Sequence, residues 1–239
     1  MVERWVGSLH AGALAKGLYL QWTLGPRLRR APGIAFDAGC GEWAHFARLL
    51  ARRFPGWRFL GLDLKFASPD GLPSNLWLCQ GDLRALPLNG PVHAIYCIDV
   101  LEHVEDARPV LLDFARCLER KGVLFLHVPS AYQRWFLPGV DRDYSWLGPP
   151  RPGDRHFREE FDLAELAGWL DEAGFDLLLS RFTFGWAVQI LKELFMLGEA
   201  RRIPAVGLCL FPFVAAAAWL EWKWGCRRGN GLLLLAQRR

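Results

Sequence analysis

The fold is decided by residues 34–43, which read Ile34-Ala35-Phe36-Asp37-Ala38-Gly39-Cys40-Gly41-Glu42-Trp43. The first three residues predict a short buried strand. The spacing of Trp43, Phe46, Ala47, Leu50 and Phe54 predicts a helix with these residues on one apolar face. Glycine between a strand and a helix lets the backbone approach a ligand closely, because no Cβ intervenes. We therefore interpret this stretch as a ligand-binding strand, loop and helix.

Short apolar runs alternate with helical patterns along the remainder of the chain. The predicted strands are 34–36, 57–63, 76–79, 92–99, 123–128, 175–181 and 232–236. This alternation is typical of a parallel sheet that is covered by helices on both faces. It predicts one doubly wound α/β domain.

Turn and capping residues mark several of the predicted boundaries. Gly25-Pro26 predicts the end of the helices that precede the first strand, and Lys121-Gly122 predicts a turn before the fifth strand. Asp162 predicts the start of a later helix, where Glu165 three residues on would complete a capping box. Gly174 predicts the end of that helix.

The overall composition argues against several classes of protein. The 239 residues suffice for one large domain, and a net charge of +4 is too small to indicate nucleic-acid binding, for which we find no motif. The six cysteines form no C-x-x-C pair, which favours reduced thiols in the cytoplasm. The first residues lack the order of a signal peptide. We therefore expect a cytoplasmic protein that does not bind nucleic acid.

Four acids stand at the carboxyl ends of predicted strands. Asp37 follows the first strand, Asp63 and Asp99 end the second and fourth, and Asp82 lies in the short run after the third. Ligands of open α/β sheets bind at the carboxyl edge of the strands, where these side chains would converge. Asp63 lies about 20 residues beyond the glycines, at the position from which a carboxylate can accept hydrogen bonds from both hydroxyls of a ribose. The four acids therefore predict a crevice that binds a nucleoside.

The glycine spacing leaves a second class of ligand open. Gly39-x-Gly41-x-x-Ala44 also satisfies the loose fingerprint of dinucleotide-binding proteins, which would indicate a nicotinamide-dependent oxidoreductase. Asp37 stands directly before the glycines, and the bulky Trp43 stands where a pyrophosphate would approach. Both residues argue against this alternative.

Six segments together resemble the motifs of the class I S-adenosylmethionine-dependent methyltransferases. They are DAGCGEW (37–43), GLDL (61–64), GDLRALPL (81–88), CIDVLEHVED (97–106), KGVLFLHVP (121–129) and RHFREEFDLAELAGWLDEAGF (155–175). The resemblance covers residues 33–182 and resumes at 230–239. It implies an α/β, Rossmann-like sheet of seven strands with an antiparallel last strand, and methyl transfer from S-adenosylmethionine.

The resemblance also implies a set of cofactor-binding residues. They are Asp37, Gly39, Cys40, Gly41, Asp63, Leu64, Asp82, Leu83, Asp99 and Val100. Asp37, Gly39 and Gly41 would surround the methionine part of the cofactor. Asp63 would hold its ribose. Asp82 and Leu83 would flank the adenine. Asp99 and Val100 would border the sulfonium.

One position departs from the family pattern. Trp43 stands where the family often has a third glycine. Its indole would narrow the cofactor pocket or form one of its walls.

Methyl transfer needs little acid–base chemistry, because alignment of the nucleophile, the methyl group and the sulfur dominates. A base is required only where the acceptor must lose a proton. The candidate catalytic residues are His127, which ends a strand at the ligand edge, His156 in the loop before the capped helix, and His103. Each could equally be a structural or solvated histidine.

The run Asp99-x-x-Glu102-His103 is also a candidate metal site. This run resembles the Mg²⁺ ligands of the O-methyltransferases of ubiquinone biosynthesis and of small-RNA 2′-O-methyltransferases, and oxygen ligands suit Mg²⁺. Similar runs occur widely in metal-free relatives. We therefore predict no metal site.

Residues 183–229 form an apolar excursion between the last two strands. The stretch from Ile203 to Trp222 is nearly long enough to cross a bilayer, but a single span would leave the last strand on the wrong side of the membrane. A hairpin of two helices, at about 187–199 and 205–224, removes that conflict. The hairpin could be a lid over a greasy substrate, a surface that dips into a membrane, a dimer interface, or an ordinary core element.

These observations lead to one interpretation and its rivals. An N-terminal helical segment (1–32) precedes the cofactor-binding domain (33–182 and 230–239), into which the hairpin (183–229) is inserted. We expect methyl transfer, preferably to oxygen, of a small lipophilic or lipid-linked acceptor, with peripheral contact to the inner face of the membrane and a homodimer as an open option. A catalytically silent, membrane-associated relative of the methyltransferases is the alternative from another class.

Overall fold

The computed structural model of the chain describes residues 10–65, 71–88, 90–141, 156–201 and 203–239. Two parts of the predicted organisation lie outside these residues. They are positions 1–9 of the N-terminal segment and 142–155 of the loop that follows the fifth strand.

The described residues form a seven-stranded sheet with the order β3-β2-β1-β4-β5-β7-β6. Its strands are β1 (Ile34–Ala38), β2 (Arg58–Asp63), β3 (Leu76–Gln80), β4 (Val92–Ile98), β5 (Leu118–Pro129), β6 (Phe175–Thr183) and β7 (Gly231–Arg238). The first five strands pair in parallel, and β7 runs antiparallel to both β5 and β6. The predicted fold class, including the antiparallel last strand, is confirmed.

Six helices cover the two faces of the sheet in the described part of the chain. They are α1 (Ala11–Leu28), α2 (His45–Arg53), α3 (Ala107–Cys117), α4 (Leu163–Glu172), α5 (Trp186–Ala200) and α6 (Pro204–Trp224). The predicted hairpin is confirmed as α5 and α6, which pack against each other and against α1. By length and composition, α6 is the one helix among the described residues that could cross a membrane.

Alternation along the strands divides the core into two layers. Phe125 in β5 joins the layer beneath α1, α2 and the hairpin, whereas its neighbours Leu124 and Leu126 join the layer beneath α3 and α4. Successive side chains of a strand point to opposite faces, so a strand that is buried on both faces must be apolar throughout. The continuous apolar runs in the sequence have this physical origin.

Of two predicted boundaries, one lies close to the observed one and the other is wrong. α1 ends at Leu28, two residues beyond Pro26, and the Trp57 indole Nε1 donates to the Leu28 carbonyl at 2.6 Å. Lys121-Gly122 does not interrupt the chain before β5. Lys121 adopts a φ of +65° inside the strand, at an irregularity where Val92 pairs with Leu118 and Ala94 with Val123.

The capping prediction at α4 is confirmed in part. Asp162 Oδ1 accepts hydrogen bonds from the backbone N–H groups of Ala164 (2.8 Å) and Glu165 (3.2 Å). The Glu165 carboxylate pairs with the guanidinium of Arg158 instead of returning to the cap. Gly174, at a φ of +90°, follows the helix as predicted.

Candidate functional site

The glycine loop after β1 is a tight bend that is held by its neighbouring strand. Gly39 and Cys40 both donate their backbone N–H groups to the Leu62 carbonyl, at 2.9 and 3.1 Å. Gly39 has a φ of +80°, and a Cβ at this position would lie 2.3 Å from Cγ2 of Val100. Glycine is therefore required here both by the backbone conformation and by the contact with Val100.

Gly41 faces open space, in contrast to Gly39. Its φ is +70°, and a Cβ built on it would meet no atom within 4 Å. Its backbone N–H donates to Asp63 Oδ2 at 2.8 Å, while the other carboxylate oxygen accepts from the Lys65 N–H at 3.0 Å. The structure thus brings together the glycine loop and the acid at the end of β2, beside an open cradle of backbone.

Asp37 lies beneath this cradle and is 1% exposed. Burial raises the pKa of Asp37 well above its usual range. The Tyr96 hydroxyl opposes this increase, and the negative charge of Asp63 adds to it by a smaller amount. The neutral acid is therefore favoured in the absence of a cation. A positive group on a ligand would favour the carboxylate.

Three further predicted cofactor residues lie along the same edge of the sheet. Asp82 accepts from the backbone N–H of Arg84 at 2.9 Å and from its guanidinium at 2.6 to 3.1 Å, and the pKa of Asp82 is lowered by this partner. Leu83 is buried, whereas Leu64 is 51% exposed. The carboxylate proposed for the adenine is thus already bound to a neighbouring cation.

Trp43 lies in the loop before α2 and is 39% exposed. The expectation that it continues the buried face of this helix is wrong. The helix begins only at His45, and Ala44 at a φ of +47° turns the chain between them. Ala47, Leu50 and Phe54 of the predicted face are buried as expected, together with Ala51.

Asp99 is the centre of a half-buried polar chain at the end of β4. It adopts a φ of +51°, and its Oδ1 lies 2.7 Å from Nδ1 of His127. Its other oxygen forms an ion pair with Lys16 of α1. Burial alone would raise the pKa of Asp99, but the charges and hydrogen bonds of Lys16 and His127 outweigh it and hold the pKa well below its usual range.

His127 is 3% exposed and bonded at both ring nitrogens. Its Nε2 lies 3.0 Å from the Thr183 hydroxyl oxygen. Because the ionised Asp99 can only accept, Nδ1 carries the hydrogen and Nε2 accepts from Thr183. Burial lowers the pKa of His127, opposed by Asp99. The imidazole therefore orients Asp99 and has no lone pair left for an acceptor.

The two other candidate histidines lie together on a different part of the edge. The ring centroids of His103 and His156 are 4.6 Å apart, at an interplanar angle of 72°. The backbone N–H groups of Phe157 and Arg158 donate to the Glu102 carbonyl at 2.9 and 3.2 Å, which holds this loop against the turn after β4. The predicted trio is therefore split, with His127 in the Asp99 chain and the other pair beside Glu102.

Two lysines and two aromatic rings, which the sequence motifs do not include, border the Asp99 chain. The Nζ atoms of Lys16 and Lys192 lie 5.9 and 5.6 Å from the centroid of the same ring, Phe184, and Lys192 lies 5.4 Å from the ring of Trp135. Burial, together with the charge of Lys16, lowers the pKa of Lys192 to about 8. The one signal in the sequence for this arrangement was Lys16, which stands within the apolar first half of α1.

The hairpin is tied directly to the loop that follows β5. Glu193 of α5 is fully buried, and its carboxylate accepts from the N–H groups of Phe136 (3.0 Å) and Leu137 (2.7 Å). Gln189, one turn earlier, donates to the same carboxylate at 2.9 Å. The loop that carries Trp135 is therefore fixed by the inserted hairpin.

The Asp99-x-x-Glu102-His103 run does not gather into a cation site. No group of three or more histidine, cysteine or acidic side chains among the described residues is arranged to hold a metal ion. Asp99 is bound to Lys16 and His127, and burial raises the pKa of Glu102 well above its usual range. The chemistry of these donors therefore does not suit Mg²⁺ in this arrangement.

Comparisons with known proteins identify the family of this fold and loop. A family model described as "Methyltransferase domain" matches residues 17–180. The chain is 32% identical over 167 residues to the ubiquinone biosynthesis O-methyltransferase of Xanthomonas oryzae pv. oryzae, a match that covers 63% of this chain and 66% of that relative. It thus spans slightly less than two thirds of the relative's length. The hairpin lies beyond the family match.

Solved structures share the architecture at low sequence identity. Phosphoethanolamine N-methyltransferase 2 of Haemonchus contortus, in complex with S-adenosyl-L-methionine, aligns with a TM-score of 0.60 at 14% identity, over 93% of this chain and 52% of that one. Geranyl diphosphate C-methyltransferase of Streptomyces coelicolor aligns with a TM-score of 0.60 at 15% identity, over 94% and 79%. At these identities the likeness concerns the fold.

Proposed function

The chain belongs to the class I S-adenosylmethionine-dependent methyltransferases, and on that premise we propose that it methylates a hydroxyl oxygen of a small, lipophilic or lipid-linked acceptor. We further propose that it works in the cytoplasm, at the inner face of the membrane. The observation that carries the proposal is the juxtaposition of an open glycine cradle with a cationic, aromatic-lined wall around Asp99.

The cofactor half of the site fits the adenosyl group by its chemistry. Asp63 has a second lone pair on each oxygen, beyond those used by Gly41 and Lys65, with which to accept from ribose hydroxyls. The open side of Gly41 leaves room for the backbone to approach the ligand, and the neutral Asp37 beneath it gains a partner when an ammonium group arrives. When bound, S-adenosylmethionine supplies an electrophilic methyl group on a sulfonium.

The acceptor half favours an apolar molecule with an acidic hydroxyl. The rings of Phe184 and Trp135 offer apolar surface, and the ammonium group of Lys16 would stabilise a developing oxyanion. The combination of apolar rings and a cation suits a phenol or a similar hydroxyl on an apolar molecule. The 32% identity to an O-methyltransferase of ubiquinone biosynthesis supports oxygen as the methylated atom.

We assign the role of proton acceptor to Lys192. With a pKa near 8, a useful fraction of its amine is unprotonated close to neutral pH. The bound cofactor would supply the methyl group and keep the electron pair of the broken S–CH3 bond. The O–H bond of the acceptor would break in the same step, and Nζ of Lys192 would take the proton. Lys16 and His127 hold Asp99 in place and take no proton.

Calorimetry with the whole protein tests the cofactor half of the proposal. We expect S-adenosylhomocysteine to bind and NAD to give no heat. Asp63→Ala should weaken S-adenosylhomocysteine about 10- to 100-fold, because a buried ribose would lose a charge-assisted partner. The partly exposed acid Asp113 on α3 gives a matched control, Asp113→Ala, which should leave binding unchanged. Binding of NAD but not of S-adenosylhomocysteine would overturn the proposal.

A series of phenols with lengthening alkyl chains tests the acceptor half. We expect kcat/KM to rise about threefold for each added methylene that reaches apolar surface. The methyl ether should be the product in mass spectrometry with a deuterated methyl donor. A preference for short or charged acceptors, or methyl transfer to nitrogen, would contradict the assignment.

A further inference from the structure

The outward face of α6 is unlike that of an ordinary surface helix. Its exposed residues recur every three or four positions from Ala205 to Trp224, through Cys209, Phe213, Ala216 and Leu220. Among the described exposed residues of this helix, Lys223 alone is charged. A helix on a protein surface normally presents polar side chains to water along such a stripe. Only 18% of the apolar stretch Ala205–Trp224 is buried.

The inward face of α6 packs against the core of the domain. Val214 and Ala218 are fully buried against the core. Glu221, the acid of the helix, also turns inward, where its two oxygens accept from the Tyr19 hydroxyl at 2.6 Å and from the Gly185 N–H at 2.7 Å. The helix is thus apolar on both sides, and its outward side requires a partner of its own.

The same character extends over the whole hairpin. Every exposed side chain that the structure describes within 186–201 and 203–228 is apolar or basic, and none is acidic. The most exposed aromatic residues are Trp186 (71%), Trp224 (70%) and Phe213 (62%). We name the hairpin face by the residues that the argument uses: Trp186, Phe213, Trp219, Leu220, Lys223 and Trp224.

Cations and indole rings lie together at one end of the hairpin face. Lys223 Nζ lies 5.1 Å from the ring centroid of Trp219 and 5.8 Å from that of Trp224. Arg227 and Arg228 follow directly and are exposed. Tryptophan beside lysine and arginine is the composition found at the headgroup level of membranes.

The connections of the hairpin require it to lie along a membrane and not across it. α5 follows β6 and α6 precedes β7, and these two strands pair directly, up to Thr183 opposite Gly231. α6 also packs along α1. Although its 21 residues would span about 30 Å, both ends of the hairpin must remain at the sheet. The geometry of an interfacial helix satisfies this condition.

The charges distinguish a bilayer from a second copy of the chain. A two-fold contact through the hairpin face would bring Lys223, Arg227 and Arg228 of both copies into a shared surface that offers no exposed acid. An anionic lipid surface supplies both the apolar interior and the negative headgroups that this composition lacks.

We propose that the hairpin face docks the protein onto an anionic bilayer, with Phe213, Trp219, Leu220 and Trp224 among the acyl chains and the basic residues on the phosphate groups. The inference deepens the proposed function, because α5, which packs against α6, carries Lys192 and Glu193 at the proposed acceptor wall. A lipophilic acceptor would therefore leave the bilayer beside the site that uses it.

Vesicle co-sedimentation of the full chain tests the docking. We expect tight association with phosphatidylcholine vesicles that contain phosphatidylglycerol, and little with phosphatidylcholine alone. F213E/L220E should reduce the association at least ~10-fold, since two apolar side chains lose their burial. The matched control W77E/L112E removes two exposed apolar residues outside the hairpin for the same change in charge and should bind vesicles like the natural chain.

Three outcomes separate the possibilities. Equal vesicle binding by F213E/L220E and by the natural chain, or no vesicle binding by the natural chain, would overturn the docking. Self-association that F213E/L220E abolishes, without any vesicle binding, would assign the face to a second copy and also overturn it. Binding of S-adenosylhomocysteine by each variant shows that the variant is folded. Vesicle binding by a chain that does not bind S-adenosylhomocysteine would refute the proposed function and leave the docking intact.

Discussion

The two halves of the candidate site are held together by different forces. In the cofactor half, backbone N–H groups dominate, and Gly41 and Asp63 are bonded across 22 positions of the chain. In the acceptor half, half-buried charges dominate. Lys16 pairs with Asp99 across 83 positions, and His127 joins Asp99 to Thr183 across 28 and 56 positions. The first half should therefore respond to changes of shape, and the second to changes of charge and pH.

The two glycines of the loop give the sharpest contrast within the cofactor half. Gly39→Ala should lower the free energy of unfolding by about 3 kcal/mol, because the new Cβ would meet Val100 at 2.3 Å in a left-handed conformation. Gly41→Ala, in the same backbone region but facing open space, should cost only about 1 kcal/mol. Urea unfolding measures both, and equal losses would show that the packing against Val100 does not matter.

Removing a charge should separate the two halves. Lys16→Met would leave Asp99 beside His127 without its cation, and we expect a loss of about 2 kcal/mol in the free energy of unfolding. The kcat should fall while the Kd for S-adenosylhomocysteine stays within a factor of about two. Lys223→Met, at an exposed position, serves as the control. A large rise in that Kd would contradict the division of the site.

Replacing Lys192 should stabilise the protein while it slows the reaction. The lowered pKa means that the folded state holds this proton less well than the unfolded state between pH about 8 and 10.5, so stability rises with pH across that window. Lys192→Met should therefore add about 1 kcal/mol near pH 7.

The pH profile of the same variant tests the proton transfer. In the natural enzyme the methylation rate should increase as pH rises through about 8, since the unprotonated amine is required. Lys192→Met should reduce the rate and remove this increase. A profile that keeps its shape in the variant would assign the proton acceptor elsewhere.

The smallest effect is expected at Asp82, at the exposed end of the cofactor half. Asp82→Asn should lower the free energy of unfolding by at most about 0.5 kcal/mol, because its partner Arg84 is largely in water. If the carboxylate also holds the adenine, calorimetry should show a severalfold weaker affinity for S-adenosylhomocysteine. An unchanged affinity would confine Asp82 to capping its own turn.

The contrast between the cofactor half and the acceptor half also explains which features could be predicted from the sequence. The strands, the hairpin and the glycine loop follow from local patterns, because a buried strand must be apolar and a bend pressed against Val100 must be glycine. The acceptor wall could not be predicted in this way. Lys192 lies in a helix without a motif, and its meeting with Phe184 and Trp135 depends on how the hairpin packs.

The error at the start of β5 has a similar origin. Lys121-Gly122 is a strong local signal for a break, but the pairing with β4 absorbs the extra residues of β5. A distant contact overrides the local preference there. The apolar spacing fails at Trp43, since Ala44 turns the chain before α2 begins.

Thr183 and Gly231 are paired neighbours in the sheet, so the hairpin enters and leaves the domain at a single point. An insertion of this kind can be exchanged during evolution without disturbing the order of the strands. One side of the hairpin borders the proposed acceptor site, and its other side is the apolar hairpin face. Exchange of the hairpin would therefore alter substrate choice and membrane association together. Descendants of such a scaffold could change both properties while inheriting the cofactor half intact.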